Sequence, residues 1–394
     1  MTEERKLWNK DFIIAGASYF LFAFSFNLLM PTLPIYLSEV LHVTPSNIGI
    51  VLSSYAIALL FVRPFCGFLV DSYERKPLLI IGTLLFVLTY FGYYYAVSVA
   101  FFVTLRFVHG AFWGLSTVSA NTVAIDIIPS SRRSEGIGYF GVNTNIAMAM
   151  APYIAVYIYD AYGFDFLVTC ALLMGLLSVL VALFIQTPKR DHKKDNVPPI
   201  SLDRFILVKG IPILINQLFL TFGWGTLVAF AVLYGKSIGI ENAGVFFLFL
   251  AGGIVLSRVT SGKFVDKGYL HSVMIIALSA ITIGFVGFAL LHSIFYYCAF
   301  AFVIGIGYGT LFPALQTIYI DMAPAAKRGT ANSTYLTGFD LGIGIGMLLG
   351  AYLNGKYGLA NTYLFTATFC LLSILIYWFN SRRVFEKNRL VKDF

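Results

Sequence analysis

Twelve apolar runs, each long enough to cross a lipid bilayer, follow one another along the 394-residue chain. They fall at roughly 12–38, 47–70, 77–97, 100–128, 134–159, 164–186, 205–235, 242–265, 271–291, 294–322, 330–355 and 361–380. A spanning helix needs about 20 apolar residues. A backbone in lipid must satisfy its own hydrogen bonds, so each run is expected to be a helix. The composition agrees, with 59% hydrophobic and 12% charged residues against about 25% charged in a soluble domain. Too little charge remains to cover a water-facing surface, which excludes soluble globular, disordered and nucleic-acid-binding classes.

The charge that is present is sorted. Net charge is +8, yet the basic residues sit in short clusters between apolar runs and do not form one basic face. One set of run ends holds Arg5, Lys6, Lys10, Arg75, Lys76, Arg132 and Arg133, then Lys189, Arg190, Lys193, Lys194, Arg204 and Lys209. It continues with Lys267, Lys327, Arg328 and the tail residues Arg382, Arg383, Lys387, Arg389 and Lys392. These are 21 residues, against Lys236 and Lys356 at the other ends. Excess Lys and Arg marks cytoplasmic loops, so both termini are expected in the cytoplasm and the chain in the plasma or inner membrane. Met1 to Lys10 carries no small-residue cleavage signature and reads as a cytoplasmic start. Thr187 to Asp203, with Pro198–Pro199, reads as a linker. Cys66, Cys170, Cys298 and Cys370 each lie inside an apolar run and read as packing; no metal-ligand spacing occurs.

The linker divides an internal repeat. Arg63 and Arg258 stand 195 residues apart, and the same offset pairs Gly67/Gly262, Asp71/Asp266, Gly110/Gly305, Gly114/Gly309, Asp126/Asp321, Pro129/Pro324 and Arg133/Arg328. One register across separated stretches, matching scarce charges, implies two six-span halves in parallel repeat. The expected domains are 1–186, a linker at 187–204, and 205–394. The expected fold is an all-α membrane protein, twelve transmembrane helices in two pseudo-symmetric six-helix bundles around a central cavity.

After the second run comes Gly67-Phe-Leu-Val-Asp71-Ser-Tyr-Glu-Arg75-Lys76, with a reduced copy at Gly262, Asp266 and Lys267. It resembles the loop signature of the major facilitator superfamily, and Arg106-Phe-Val-His109-Gly110 resembles that family's second signature. Physically, Gly67 allows close helix approach, and Asp71 can face the positive N-terminus of a neighbouring helix. The resemblance implies that this neighbour is the eleventh span, beginning near Gly329, and that Arg75 pairs with Asp126. Gly67, Asp71, Arg75, Lys76, Asp126, Gly262, Asp266 and Asp321 are then gating residues of an inside-closed latch; ordinary topogenic charge is the alternative. The fifth run, with Gly138, Ala147, Ala151-Pro152 and Ala155, resembles the antiporter signature of drug:proton exporters, with four of the expected glycines replaced.

Charges deep in a membrane are costly and mark candidate sites. Asp340 stands near the midplane of the eleventh run and reads as a protonation site coupling proton movement to transport, or as one member of an ion pair with Arg63. Its repeat partner is Asn145. Arg106 reads as a ligand for an anionic substrate group or as a structural arginine, and His109 as a second proton carrier or a packed ring. Arg63 and Arg258 read as charges at the interface of the halves. Asn27, Asn121, Asn143, Gln217 and Gln316 are mid-run amides. The resemblance implies a cavity lined by the first, fourth, seventh and tenth spans, which places Asn27, Asn121, Gln217 and Gln316 beside substrate, with Asn145.

Gly305-Ile-Gly307-Tyr-Gly309 and Gly342-Ile-Gly344-Ile-Gly346 lie inside apolar runs, away from any strand-to-helix turn, and read as packing faces, not nucleotide loops. With no P-loop or nucleophile elbow, no cofactor or enzyme activity is expected. The resemblance implies a monomeric secondary transporter whose partners are a small amphipathic molecule (drug or metabolite), protons and the bilayer, with export by proton antiport. Nutrient uptake or facilitated diffusion and lipid flipping remain alternatives, with a membrane receptor or enzyme more remote.

Overall fold

The structure, a computed structural model, describes residues 6–43, 45–96, 98–187, 202–240 and 243–390. The linker residues Lys189, Arg190, Lys193, Lys194 and Pro198–Pro199 lie outside the described residues, as do Arg5 and Lys392. Helix α1 (Lys10–Leu29) starts where the Asn9 side chain accepts the Phe12 N–H at 2.9 Å. That acceptor serves one of the donors a first helical turn leaves over. Pro31 has no N–H to continue the ladder, so the first span breaks at Met30–Pro31 and resumes as α2 (Thr32–Glu39).

The second span is α3 (Pro45–Ser72), the third α4 (Arg75–Leu88) with α5 (Tyr90–Tyr94), and the fourth α6 (Val99–Ile127). Helix α7 (Arg133–Ala182) turns at Gly163, where φ is 81°, and so contributes the fifth and sixth spans. In the second half, α8 (Ile211–Ser237) precedes α9 (Val245–Phe264) and α10 (Leu270–Leu290), with a wide π turn at Val265–Tyr269 that reverses at Gly268, φ 95°. Helices α11 (Ile294–Asp321), α12 (Arg328–Tyr357), α13 (Leu359–Ile376) and the short α14 (Arg382–Asn388) complete the chain. Gly358, at φ 80°, joins α12 to α13. It lies 195 residues after Gly163, so the repeat extends to the left-handed turn that only glycine adopts freely. The same offset relates two caps, Ser98 on the Phe101 N–H at 3.3 Å and Ser293 on the Tyr296 N–H at 3.4 Å.

Among the described residues, ten helical stretches are long and apolar enough to cross a membrane. One of them, Val245–Leu290, is two passes joined at Gly268. The first part of α7, which carries Asn143, Thr144 and Asn145, supplies the twelfth.

Contacts divide the chain into two compact units, each drawing a short segment from the other half of the sequence. Unit 1 is Met1–Pro129, Phe140–Ile206 and Ala326–Ser333; unit 2 is Ser130–Tyr139, Leu207–Ala325 and Thr334–Phe394. Unit 1 is cored by Phe22, Phe26, Phe86 and Trp113, with ring centroids 4.1–5.7 Å apart between Trp113 and the three phenylalanines. In unit 2, buried tyrosines donate to backbone carbonyls: Tyr234 to Ala289, Tyr297 to Ala231 and Tyr308 to Leu220, each at 2.9 Å. Much of the aromatic content is therefore helix–helix packing, alongside lipid-facing rings such as Phe61 and Phe295. The glycine runs pack backbone to backbone. A Cβ on Gly305 would lie 2.2 Å from the Leu250 carbonyl oxygen, and one on Gly346 2.2 Å from that of Phe222.

Candidate functional site

In unit 1 the end of α3, the start of α4, the end of α6 and the first turn of α12 converge. Asp71 accepts the Gly329 N–H on Oδ1 and the Thr330 N–H on Oδ2, both at 2.7 Å. A carboxylate thus closes two of the donors that the α12 N-terminus leaves unpaired, where the helix dipole also favours negative charge. Close approach is possible because residue 67 is glycine; a Cβ there would meet the Ser333 Cβ at 2.6 Å. Arg75, 3% exposed, pairs with Asp126 and reaches Asp71 at 3.4 Å. Arg328 adds a second cation to Asp126 at 2.9 Å. Lys76 turns elsewhere and donates to the Leu183 carbonyl at 2.8 Å.

Unit 2 contains a second copy. Asp266 accepts the N–H groups of Ser134 and Glu135, each at 2.9 Å, capping the start of α7. A Cβ on Gly262 would lie 2.5 Å from the Glu135 Cα. Arg133 pairs with Asp321 at 2.6 Å, the counterpart of Arg328 on Asp126. The copies differ in one respect, because the position 195 residues after Arg75 is Leu270. Unit 2 instead has Arg132 on Glu135 at 2.6 and 2.8 Å, with Lys263 3.9 Å away. Hydrogen bonding to Glu135 raises the Arg132 pKa above the ordinary arginine value. The sequence marks Arg133 and Arg328 as topology markers and as a repeat pair, not as members of the gate, and the gate reading does not include Ser134, Glu135 and Thr330. The 195-residue register held the signal for all of them.

The interior polar residues fall into separate settings. In unit 1, Arg63 is 4% exposed and donates to Thr117 Oγ1 at 3.4 Å. Arg106, 1% exposed, lies where α1 breaks into α2, 3.9 Å from Met30 Sδ and stacked 4.7 Å over the Tyr55 ring. His109 is fully buried, with Nδ1 2.9 Å from the Tyr93 hydroxyl and its ring 4.1 Å from that of Phe86. Asn27 and Asn121 turn back to carbonyls of their own helices, Ala23 at 2.7 Å and Thr117 at 2.8 Å; Asn121 also reaches the Tyr19 hydroxyl at 3.2 Å. Asn143 does likewise to Phe140 at 3.0 Å, and Asn145 is half-buried.

In unit 2, Gln217 is fully buried and donates to the Tyr335 carbonyl on α12 at 2.7 Å. Gln316 is buried, and Arg258 reaches the Gly138 carbonyl at 3.5 Å. Asp340 is half-buried, twelve residues into the 30-residue α12. That puts it roughly 18 Å from the helix start by helical rise, close to mid-helix. In α7, Ala147, Ala151 and Ala155 are all fully buried, so the alanine row is a close-packed face beside Pro152.

Paired acid caps at duplicated helix starts, a mid-helix carboxylate and twelve helical passes define a polytopic membrane transporter. The chain belongs to the Major Facilitator Superfamily, whose sequence profile matches residues 15–291 and 213–392. It is 26% identical over 373 residues to the multi-drug resistance efflux pump PmrA of Streptococcus pneumoniae, covering 89% of this chain and 91% of that one. It is 24% identical over 365 residues to the quinolone resistance protein NorA of Staphylococcus aureus, covering 88% and 90%. In structure it resembles the human organic anion transporter MFSD10 with a TM-score of 0.77 at 14% identity, over 93% of this chain and 98% of that one. At that identity the likeness speaks for the fold alone.

Proposed function

We propose that the chain is a secondary active transporter that exports small amphipathic molecules, drugs or metabolites, by proton antiport through alternating access. The observation that carries this reading is the duplicated acid cap, Asp71 on Gly329 and Thr330 and Asp266 on Ser134 and Glu135. A hydrogen bond to a charged group contributes about 1.5–3 kcal/mol, so each cap is strong enough to hold one state and weak enough to break once per cycle. Both caps are made here, one within each unit. Gly67, Gly262, Arg75, Lys76, Asp126 and Asp321 belong to this gate, with Arg133 and Arg328 as its further cations. The names of PmrA and NorA support efflux of drugs as the direction and substrate class.

In this reading Asp340 takes up and releases the coupling proton, and His109 is a second candidate carrier. Arg106 faces the substrate or supports the break between α1 and α2. Asn27, Asn121, Asn145, Gln217 and Gln316 supply hydrogen bonds to substrate, and Arg63 and Arg258 charge to the interface of the halves. The division at 187–204 separates two rocking six-helix halves. The protein acts as a monomer in the plasma or inner membrane with both termini in the cytoplasm.

The test uses everted membrane vesicles and a fluorescent quinolone as probe. Acidifying the vesicle interior should drive accumulation of the probe inside, and collapsing the gradient should stop it. Accumulation only in right-side-out vesicles would overturn export in favour of uptake, and accumulation indifferent to the gradient would overturn proton coupling.

A further inference from the structure

Three helix ends in unit 1, the starts of α1 and α4 and the end of α7, meet around a groove of about 390 Å³. Lys10 and Lys76 line it together with Ile14, Leu183, Phe184 and Gln186. Two lysines therefore line one space, and neither makes an ion pair among the described residues. Lys76 spends one donor on the Leu183 carbonyl and keeps two. Asp11 stands at the rim, where its carboxylate is engaged by the Gln186 N–H at 2.9 Å. The other wall is apolar and open: Phe184 is 70% exposed and Leu183 49%. Trp8, 57% exposed, lies two residues before Lys10, the kind of aromatic that settles at a membrane–water boundary.

We infer that this groove is a binding site for an anionic phospholipid of the surrounding membrane. The phosphate sits between Lys10 and Lys76 and an acyl chain runs along Leu183 and Phe184. A groove of this volume is within the range of small-ligand sites, and basic pockets between transmembrane helices suit anionic headgroups. The lysines set the charge of the occupant. The exposed apolar wall sets its source, because a free phosphate ion has nothing to place against Phe184. The groove lies at helix ends and shares Lys76 with the proposed gate, whereas the proposed proton site Asp340 is mid-helix.

The experiment is native mass spectrometry of the full-length chain in detergent, titrated with phosphatidylglycerol and with phosphatidylcholine of the same acyl chains. Phosphatidylglycerol should bind roughly thirtyfold more tightly, the contribution expected of two lysines near an anionic headgroup. Lys10→Gln/Lys76→Gln should bring it down to the phosphatidylcholine level. If that double variant does not fold, Lys10→Gln alone, at an exposed position, should remove part of the preference. Equal affinity for the two lipids, or an anionic preference unchanged in these variants, overturns the site. Displacement of the lipid by inorganic phosphate at equal concentration overturns the lipid as its occupant.

Discussion

Asp71 and Asp266 each spend both carboxylate oxygens on two successive backbone N–H groups. Asparagine keeps the shape of the side chain but offers one acceptor oxygen and no charge. Asp71→Asn should therefore lose at least one charge-assisted hydrogen bond, about 1.5–3 kcal/mol in the state that makes it, and slow turnover at unchanged expression. Initial export rates in everted vesicles check this, and an unchanged rate would count against the gate. Arg133 and Asp321 are both nearly buried, at 8% and 10% side-chain exposure. A double-mutant cycle with Arg133→Ala and Asp321→Ala should return a coupling of about 0.5–3 kcal/mol in denaturation midpoints, whereas additive effects would mean that the pair does not hold the first turn of α7. At this scale the sequence was legible where a motif carried a residue, as at Gly67, Asp71 and Gly262. It was harder to read for Ser134, Glu135 and Thr330, because a backbone N–H leaves no mark in residue type and only the 195-residue register, which sets Ser134 against Gly329 and Glu135 against Thr330, points to them.

Helix ends repeat as faithfully as residues do. Ser98 and Ser293 cap α6 and α11, and Gly163 and Gly358 turn at φ 81° and 80°. The length and apolarity of the runs made these elements legible. The break at Met30–Pro31 and the π turn at Val265–Tyr269 were not, since both lie inside runs that read as continuous or as ordinary loop. The closest helix crossings stand on glycine, and they differ in what a methyl group would strike. At Gly262 the obstacle is the Glu135 backbone at 2.5 Å, while at Gly67 the first obstacle is the Ser333 side chain at 2.6 Å. The Ser333 atom is a Cβ, fixed by its own backbone, and the Gly329 carbonyl oxygen and Thr330 Cα follow at 3.0 Å, so Gly67→Ala and Gly262→Ala should both impair export, with both variants folded by circular dichroism. Unimpaired export in either variant would show that its crossing tolerates separation.

For the whole molecule, the repeat makes the two caps equivalent in geometry and unequal in support. Asp71 has Arg75 beside it, and the matching position in unit 2 is Leu270. Along α12, Asp340 is a mid-helix carboxylate whose repeat partner is the uncharged Asn145. In the proposed antiport this carboxylate ties the proton to one half of the cycle. The fold class was readable from run length and charge sorting. The substrate surface was not, because amides such as Gln217 and Asn27 each spend a donor on a backbone carbonyl, and sequence spacing cannot tell such a bond from one to a ligand. The most direct measurement is proton flux accompanying quinolone movement in proteoliposomes, for the unaltered chain and for Asp340→Asn. The account predicts substrate-dependent proton flux in the first, and in the second its loss with substrate exchange retained. Undiminished substrate-dependent proton flux in Asp340→Asn would contradict it.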